Sequence, residues 1–194
     1  MRGRDIFAKY RRAIMIISKI YGVFPLKLRL FLFEKHRNTR GKMGFLLRYV
    51  LLKSIAKQCG DNVSVFPGVY LLNPQNLVLG RNISIHQMSY IECGPFEDSE
   101  IRIDDNVSIA HGTTILATTH EYVSDSTDII KDMPVLYKPV RICENVWIGA
   151  KTTVLYGVTI KSGCVIGANT VVTRSTEENG VYVGSPARKI KSRI

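Results

Sequence analysis

The sequence predicts a mainly β protein, a parallel β-solenoid preceded by an α-helical region. From residue 142 to residue 172 an aliphatic side chain returns at every sixth position, namely Ile142, Ile148, Val154, Ile160, Ile166 and Val172. Neither a helix nor an ordinary strand has a six-residue period. In a solenoid, each hexad forms one short strand and a corner, three hexads close a triangular coil, and stacked coils bury the aliphatic positions.

The α-helical region is predicted for residues 1–60, which carry 15 Lys/Arg and only 2 Asp/Glu in a chain of net charge +11. Apolar residues at helical spacing predict helices over about 5–21, from Pro25 to His36 and from about Gly44 to Gln58. The first is a basic amphipathic helix. Two roles stay open at this point: capping the open end of the solenoid, or contact of residues 1–35 with an anionic membrane. We see no nucleic-acid recognition motif, so nucleic acid is not an expected partner.

The solenoid is predicted for residues 61–194, with the period interrupted twice. Between Ile91 and Ile103 one hexad position is skipped, and the polar segment 94–100 forms a short excursion at a corner. Ile115 and Ile142 are 27 positions apart, which is not a multiple of six. Residues 121–139 are therefore predicted to leave the coil as a long loop. Long loops on a regular scaffold commonly carry function.

Cysteine usage and hydropathy indicate the cellular setting. Cys59, Cys93, Cys143 and Cys164 form no C-x-x-C pair, so we expect reduced, packed thiols in a cytosolic protein. The N-terminus lacks the uninterrupted apolar core of a signal peptide. The longest uncharged stretch, 62–80, contains prolines and several asparagines and predicts strands and turns, not a membrane span.

His120 is the main candidate for chemistry, because it stands where the long loop departs. A histidine with an ordinary pKa near 6.5 is mostly neutral in the cell and can act as a general base. The alternative is an ordinary surface histidine at the root of a loop.

Four segments carry a family resemblance: THEY at 119–122, NVWIGA at 145–150, GVTIKSGCVIGANTVVTR at 157–174 and GSPARKI at 184–190. In this order they resemble the left-handed β-helix O-acetyltransferases, which include maltose and galactoside acetyltransferases and the enzymes that modify capsule and lipopolysaccharide sugars. The resemblance covers about residues 60–194. It implies a left-handed parallel β-helix, a homotrimer with active sites between subunits, acetyl-CoA as acetyl donor, and no metal.

The resemblance also implies roles for individual residues. His120 matches the catalytic histidine. The segment 44–49 resembles, more weakly, the polysaccharide-modifying branch. Residues expected near acetyl-CoA are Trp147, Ala150, Ala168, Thr173, Arg174, Arg188 and Lys191. Where the galactoside enzymes carry an asparagine and a following carboxylate, this chain has His86 and then Glu92, and these two with Asp98 are the candidates for acceptor binding.

The expected function is transfer of an acetyl group from acetyl-CoA to a hydroxyl of a sugar in a bacterial surface polysaccharide or its lipid-linked precursor. We expect the reaction at the cytoplasmic face of the inner membrane. One alternative is N-acetylation of a nucleotide-linked amino sugar, although residues 1–60 show no Gly-rich nucleotide-binding turn. Remoter alternatives are a non-enzymatic scaffold and a γ-class carbonic anhydrase, whose zinc-binding histidines are spaced differently from His111 and His120.

Overall fold

The computed structural model describes residues 3–121 and 129–194, and it begins with three helices. They are α1 (Gly3–Gly22), α2 (Leu26–His36) and α3 (Gly41–Ile55). All three helices predicted from the sequence are confirmed. The third begins three residues earlier than predicted and ends at Ile55, because Gln58 already enters the first strand.

Nineteen short strands follow in the described residues, and they form five complete coils, one hairpin and a closing pair. The coils are β1 (Gln58–Cys59), β2 (Val63–Val65), β3 (Tyr70–Leu72); β4 (Leu77–Leu79), β5 (Ile83–Ile85), β6 (Tyr90–Glu92); β7 (Ile101–Ile103), β8 (Ser108–Ile109), β9 (Thr114–Leu116); β12 (Val140–Ile142), β13 (Trp147–Ile148), β14 (Thr153–Val154); and β15 (Thr159–Ile160), β16 (Val165–Ile166), β17 (Val171–Val172). The hairpin is β10 (Thr118–His120) with β11 (Val135–Tyr137), and β18 (Gly180–Val183) with β19 (Arg188–Ser192) closes the chain.

The coils stack into a triangular prism with three parallel sheets. Face A contains β1, β4, β7, β12 and β15; face B contains β2, β5, β8, β13, β16 and β18, with β19 added antiparallel; face C contains β3, β6, β9, β14 and β17. The corners between faces are called A–B, B–C and C–A below. This architecture confirms the predicted parallel solenoid.

The aliphatic positions of the repeat form one continuous column inside the prism. Ile142, Ile148, Val154, Ile160 and Ile166 are all fully buried. Burying a side chain of this size contributes about 1.5–3 kcal/mol, and a single coil buries too few of them to be stable alone. The column therefore explains why the period is maintained over successive coils.

The sharp corners require a residue with positive φ. At the A–B corner this residue is Asn62, Asn82, Asn106 and Asn145 in the first four coils, with φ between 57° and 61°. Asparagine is one of the few residues with a side chain that tolerates this conformation. The Asn62 and Asn82 amides also donate hydrogen bonds to the next asparagine, at 2.9 and 3.1 Å.

Helix α3 caps the first coil by satisfying its carbonyl groups. Arg48 donates from Nε to Val65 O at 2.8 Å, Tyr49 donates to Gly60 O at 3.0 Å, and Lys53 donates to Cys59 O at 2.6 Å. The open end of a solenoid otherwise exposes unpaired backbone groups. The capping role that the sequence analysis considered is thus present in α3.

The G-x-x-L-R-Y segment at 44–49 is part of this cap. The Arg48 side chain is completely buried, and its Nη1 also donates to the carbonyls of His36, Arg37 and Thr39. Gly44 lies so close to the Thr39 carbonyl that a Cβ would be 2.0 Å from its oxygen. Both residues therefore serve the packing of the α2–α3 connection on the first coil.

Candidate active site

Within the five complete coils, every interruption of the repeat falls at the C–A corner. Successive coils are offset by 20 residues at Leu71 and Ile91, by 24 at Ile91 and Ile115, and by 39 at Ile115 and Val154. The last two coils, at Val154 and Val172, have the plain offset of 18. The segments that contain the extra residues are 73–76, 93–100 and 117–139, so three excursions stack on one another along this corner.

The long excursion carries His120 on a two-stranded antiparallel arm. Strand β10 pairs with β11, and His120 lies opposite Val135. Ala117 is the last residue before the arm whose backbone N–H bonds to the coil below, to Glu92 O at 2.9 Å. The chain thus leaves the coil before His120, whose side chain is exposed to solvent. Residues 122–128 of the predicted loop lie outside the described residues.

Glu92 joins this arm to the coil. Its carboxylate accepts a hydrogen bond from Thr118 Oγ1 at 2.7 Å and one from the Tyr90 hydroxyl at 2.8 Å. Thr118 and His120 are two residues apart in β10, so their side chains lie on the same side of the strand. Burial and the bond to Glu92 raise the pKa of Tyr90 to about 12, so its hydroxyl stays protonated and donates.

The middle excursion supports the arm from below. Phe96 contacts Tyr137 of β11 edge-on, with ring centroids 5.3 Å apart. Asn76 from the first excursion donates to Gly94 O at 2.8 Å. Asp98 lies in the middle excursion with its side chain exposed. His120 and two of the three predicted acceptor residues, Glu92 and Asp98, therefore share the C–A corner.

His86 lies at a different corner. It follows β5 at the B–C corner, where its ring stacks on Phe66 with centroids 4.3 Å apart. Burial lowers the pKa of His86, and the neighbouring His111 lowers it further. Within one chain the structure does not bring His86 together with His120.

The residues expected near acetyl-CoA divide into two groups. Trp147 is 54% exposed on face B, and Ala150 and Ala168 stack at the B–C corner, where a Cβ on Gly149 would clash with the Ala168 backbone. Thr173 and Arg174 instead follow β17 at the C–A corner, both exposed.

A single row of strand positions connects Trp147 with the C-terminal cations. Trp147 pairs with Val165, Val165 with Val181, and Val181 with Lys191. Three strand spacings separate the ends of this row, about 14 Å. Arg188 lies on the same final strand, β19, with its side chain exposed. Face B thus presents an exposed aromatic ring at one end of the row and cations at the other.

The triangular geometry has a consequence for the site. Face B runs between the A–B and B–C corners, so it lies opposite the C–A corner. The Trp147 row and His120 are therefore on opposite sides of the same prism, a separation that the sequence alone did not reveal. Glu92's link to Thr118 was also missed, because Thr118 carried no signal beyond its place in the motif around His120.

Two further features concern metal binding and membrane spans. Among residues 3–121 and 129–194, no group of three or more His, Cys, Asp or Glu side chains could hold a metal ion. None of the helices described is long and apolar enough to cross a membrane.

The parallel six-residue repeats and their stacked coils define a hexapeptide-repeat solenoid. Residues 139–174 match the family described as "Bacterial transferase hexapeptide (six repeats)". The galactoside O-acetyltransferase of Escherichia coli (strain K12) is 33% identical over 144 residues, which are 74% of this chain and 68% of that protein. The chain therefore belongs to the hexapeptide-repeat acetyltransferase family.

Two further comparisons agree with this assignment. A protein of Escherichia coli (strain K12) provisionally named lipopolysaccharide biosynthesis O-acetyl transferase WbbJ is 34% identical over 132 residues, 68% of this chain and 58% of that protein. A solved structure of galactoside acetyltransferase in complex with coenzyme A superposes with a TM-score of 0.73 at 30% identity, covering 84% of this chain and 78% of that one.

Proposed function

We propose that the protein transfers an acetyl group from acetyl-CoA to a hydroxyl of a sugar in a bacterial surface polysaccharide or its lipid-linked precursor. The observation that carries the proposal is His120, exposed on an arm that Glu92 joins to the coil. The relatives named for galactoside O-acetylation and for lipopolysaccharide O-acetyl transfer support this choice of reaction and acceptor class.

In this mechanism His120 accepts the proton of the sugar hydroxyl as the hydroxyl oxygen attacks the thioester carbonyl. A backbone N–H at a coil corner stabilises the oxyanion of the tetrahedral intermediate. The C–S bond then breaks, the acetyl group stays on the sugar oxygen, and the proton passes from the imidazolium to the CoA thiolate. The histidine is thereby regenerated without a covalent enzyme intermediate.

For the donor, we propose the row across face B. Trp147 packs against the pantetheine arm, and Ala150 and Ala168 leave room for it at the adjacent corner. Arg188 and Lys191, at the far end of the row, contact the phosphates, since cations bind phosphate oxygens through charge-assisted hydrogen bonds. Thr173 and Arg174, at the C–A corner, contact the phosphates of an acetyl-CoA that lies along face B of a neighbouring copy.

We also propose that the complete site forms between copies of the chain, in a homotrimer. His120 and the Trp147 row lie on opposite sides of one prism, so one chain alone cannot present both to the same acetyl-CoA. Packing the C–A corner of one copy against the B–C side of the next brings His120, Glu92 and Asp98 towards His86 and Trp147 of the neighbour. Light scattering of the pure protein measures this oligomeric state directly.

A further element of the proposal is contact of the first two helices with an anionic membrane on the cytoplasmic side. Large apolar side chains are exposed there, including Ile16, Ile20, Val23 and Phe31 at 56–84%. Residues 6–33 contain no Asp or Glu, and Lys19 and Lys27 are exposed beside the apolar side chains. Exposed apolar residues with flanking cations are typical of interfacial helices.

Replacing Ile20 and Phe31 together by Asp should weaken sedimentation of the protein with phosphatidylglycerol vesicles. Unchanged sedimentation would contradict the membrane contact.

The reaction is tested by incubating the protein with acetyl-CoA and a panel of saccharide acceptors, including amino sugars, and measuring thiol release. His120→Ala should lower turnover by at least about 100-fold while CoA still binds in calorimetry. His36→Ala, the same change at a histidine of helix α2 outside the proposed site, is the matched control. Near-full activity of His120→Ala would refute the mechanism, and acetylation at nitrogen alone would favour the N-acetyltransferase alternative.

A further inference from the structure

An apolar groove of about 340 Å³ lies between the helical cap and the first coil. Its lining comes from α1, α3 and the outer side of β2, and it is mainly aromatic and aliphatic: Phe7, Ile14, Phe45, Leu46, Tyr49 and Phe66. Cavities lined in this way favour apolar ligands, with a few polar groups that orient them. The acetyl-transfer chemistry described above does not use this groove.

The charge at the groove is of one sign. Lys42 is part of its lining and has an exposed side chain, and none of the described lining residues is acidic. An apolar groove with a cation at its rim matches an amphiphile that has a hydrocarbon chain and an anionic head. It does not match a cationic or a purely polar ligand.

The groove is continuous with His86, the candidate acceptor residue at the B–C corner. Phe45 contacts Phe66 edge-on at a centroid distance of 4.8 Å, and Phe66 stacks on His86 at 4.3 Å. Along this corner the order is therefore groove, Phe66, His86 and then Ala150 and Ala168 further up. The expected donor residues occupy the later coils, so the groove lies at the acceptor end.

We propose that this groove binds the hydrocarbon chain of an anionic amphiphile, and that the chain belongs to a lipid-linked saccharide acceptor. The chain lies between α1, α3 and β2, the anionic group lies near Lys42, and the saccharide extends past Phe66 towards His86. The second half of this inference rests on the proposed function; the binding of a chain does not.

Ser64 offers a way to fill the groove without removing core contacts. It lies in β2 between the buried Val63 and Val65, so its own side chain points outwards into the groove. Aromatic residues are well accepted in strands, so Ser64→Trp should fold. Thr159→Trp, at an outward strand position of face A in the fifth coil, is the matched control.

The first experiment measures binding of alkyl phosphates to the full chain by calorimetry. Each buried methylene raises affinity about fourfold, so dodecyl phosphate should bind at least about 100-fold tighter than butyl phosphate. Ser64→Trp should lose at least about tenfold of this affinity, whereas Thr159→Trp and the Ile20→Asp/Phe31→Asp variant should keep it. Affinity independent of chain length would overturn the proposal, as would a loss in the Ile20→Asp/Phe31→Asp variant but not in Ser64→Trp, because the chain would then bind the exposed helices. A groove already filled by a second copy of the chain would likewise show no chain-length dependence.

The second experiment compares methyl and dodecyl β-galactosides and β-glucosides as acceptors in the thiol-release assay. The dodecyl glycoside should have a kcat/KM at least about tenfold higher than its methyl partner. Ser64→Trp should reduce this ratio to about one, and Thr159→Trp should not. If no glycoside of this set and no saccharide of the acceptor panel is acetylated, the proposed function has failed while the alkyl phosphate result still decides the groove. If both glycosides react equally, the function holds and the lipid-linked acceptor is refuted.

Discussion

Replacing Glu92 by Ala tests what holds His120 in place. The change removes the carboxylate that accepts bonds from Thr118 and Tyr90 at 2.7 and 2.8 Å. Hydrogen bonds to charged groups contribute about 1.5–3 kcal/mol each, and the one from Thr118 joins the arm to the coil. If the free energy that docks the arm on the coil falls by about 2 kcal/mol, kcat should fall roughly 30-fold. The KM for acetyl-CoA should change little, because Glu92 contacts the arm.

Glu92→Gln is the matched comparison. The amide keeps the size and shape of the side chain, its carbonyl still accepts from Thr118, and its NH2 can donate to the Tyr90 hydroxyl once that hydroxyl rotates. If Glu92 positions the arm, this variant should retain kcat within about threefold, since it loses only the charge assistance of two bonds. If instead the charge of Glu92 binds the acceptor, Gln should raise the acceptor KM about as much as Ala does.

Initial rates by thiol release, with each substrate varied in turn, distinguish these outcomes. Thermal unfolding of both variants shows that the coils remain folded. Equal losses in the Ala and Gln variants would refute the positioning role.

The remaining predictions concern stability. Arg48→Met should cost about 3 kcal/mol in urea unfolding, because the short bonds to Val65 O and Thr39 O are lost at a buried site; a loss below about 1 kcal/mol would contradict the capping role. Met88→Gly should stabilise by up to about 1 kcal/mol, since this exposed residue has a φ of 59°, and an unchanged melting temperature would count against strain there. His86, whose folded pKa lies below its ordinary 6.5 through burial and then through His111, should lower stability as pH falls through 6.5, because the unfolded chain takes up its proton first. His86→Phe should remove that part of the pH dependence in melting curves at pH 5 and 7.5, and an identical pH profile would argue against it.

Much of the fold could be predicted because the hexapeptide repeat is a local rule. Ile142, Ile148 and Val154 each predict an inward-facing strand position, and each side chain is fully buried. The break between Ile115 and Ile142 likewise located the excursion that follows the coil. The candidate base, His120, was found because the break and a motif coincide there.

Other features depend on contacts between distant parts of the chain. Arg48 looked like one cation among many in the basic region, yet its side chain is completely buried and donates to four carbonyls. The link between Glu92 and Thr118 spans 26 residues and has no sequence period. Predicted helix boundaries and hydrophobic patterns do not reveal such pairings. The partner of each group depends on how another element packs against it in the folded chain.

By itself, the sequence determined the solenoid, its inward column and the family. The six-residue period, the buried positions and the motifs can all be read from residues that are close together in the sequence. The tertiary structure decided where the interruptions fall and what they face. The offsets of 20, 24 and 39 residues place every excursion at the C–A corner, opposite face B, which carries Trp147. That arrangement separates the candidate base, His120, from the donor row within one chain, because a corner of the triangular prism and the face opposite it lie on different sides of the molecule. The groove beneath the helical cap has the same origin, since α1, α3 and β2 meet only in the folded chain.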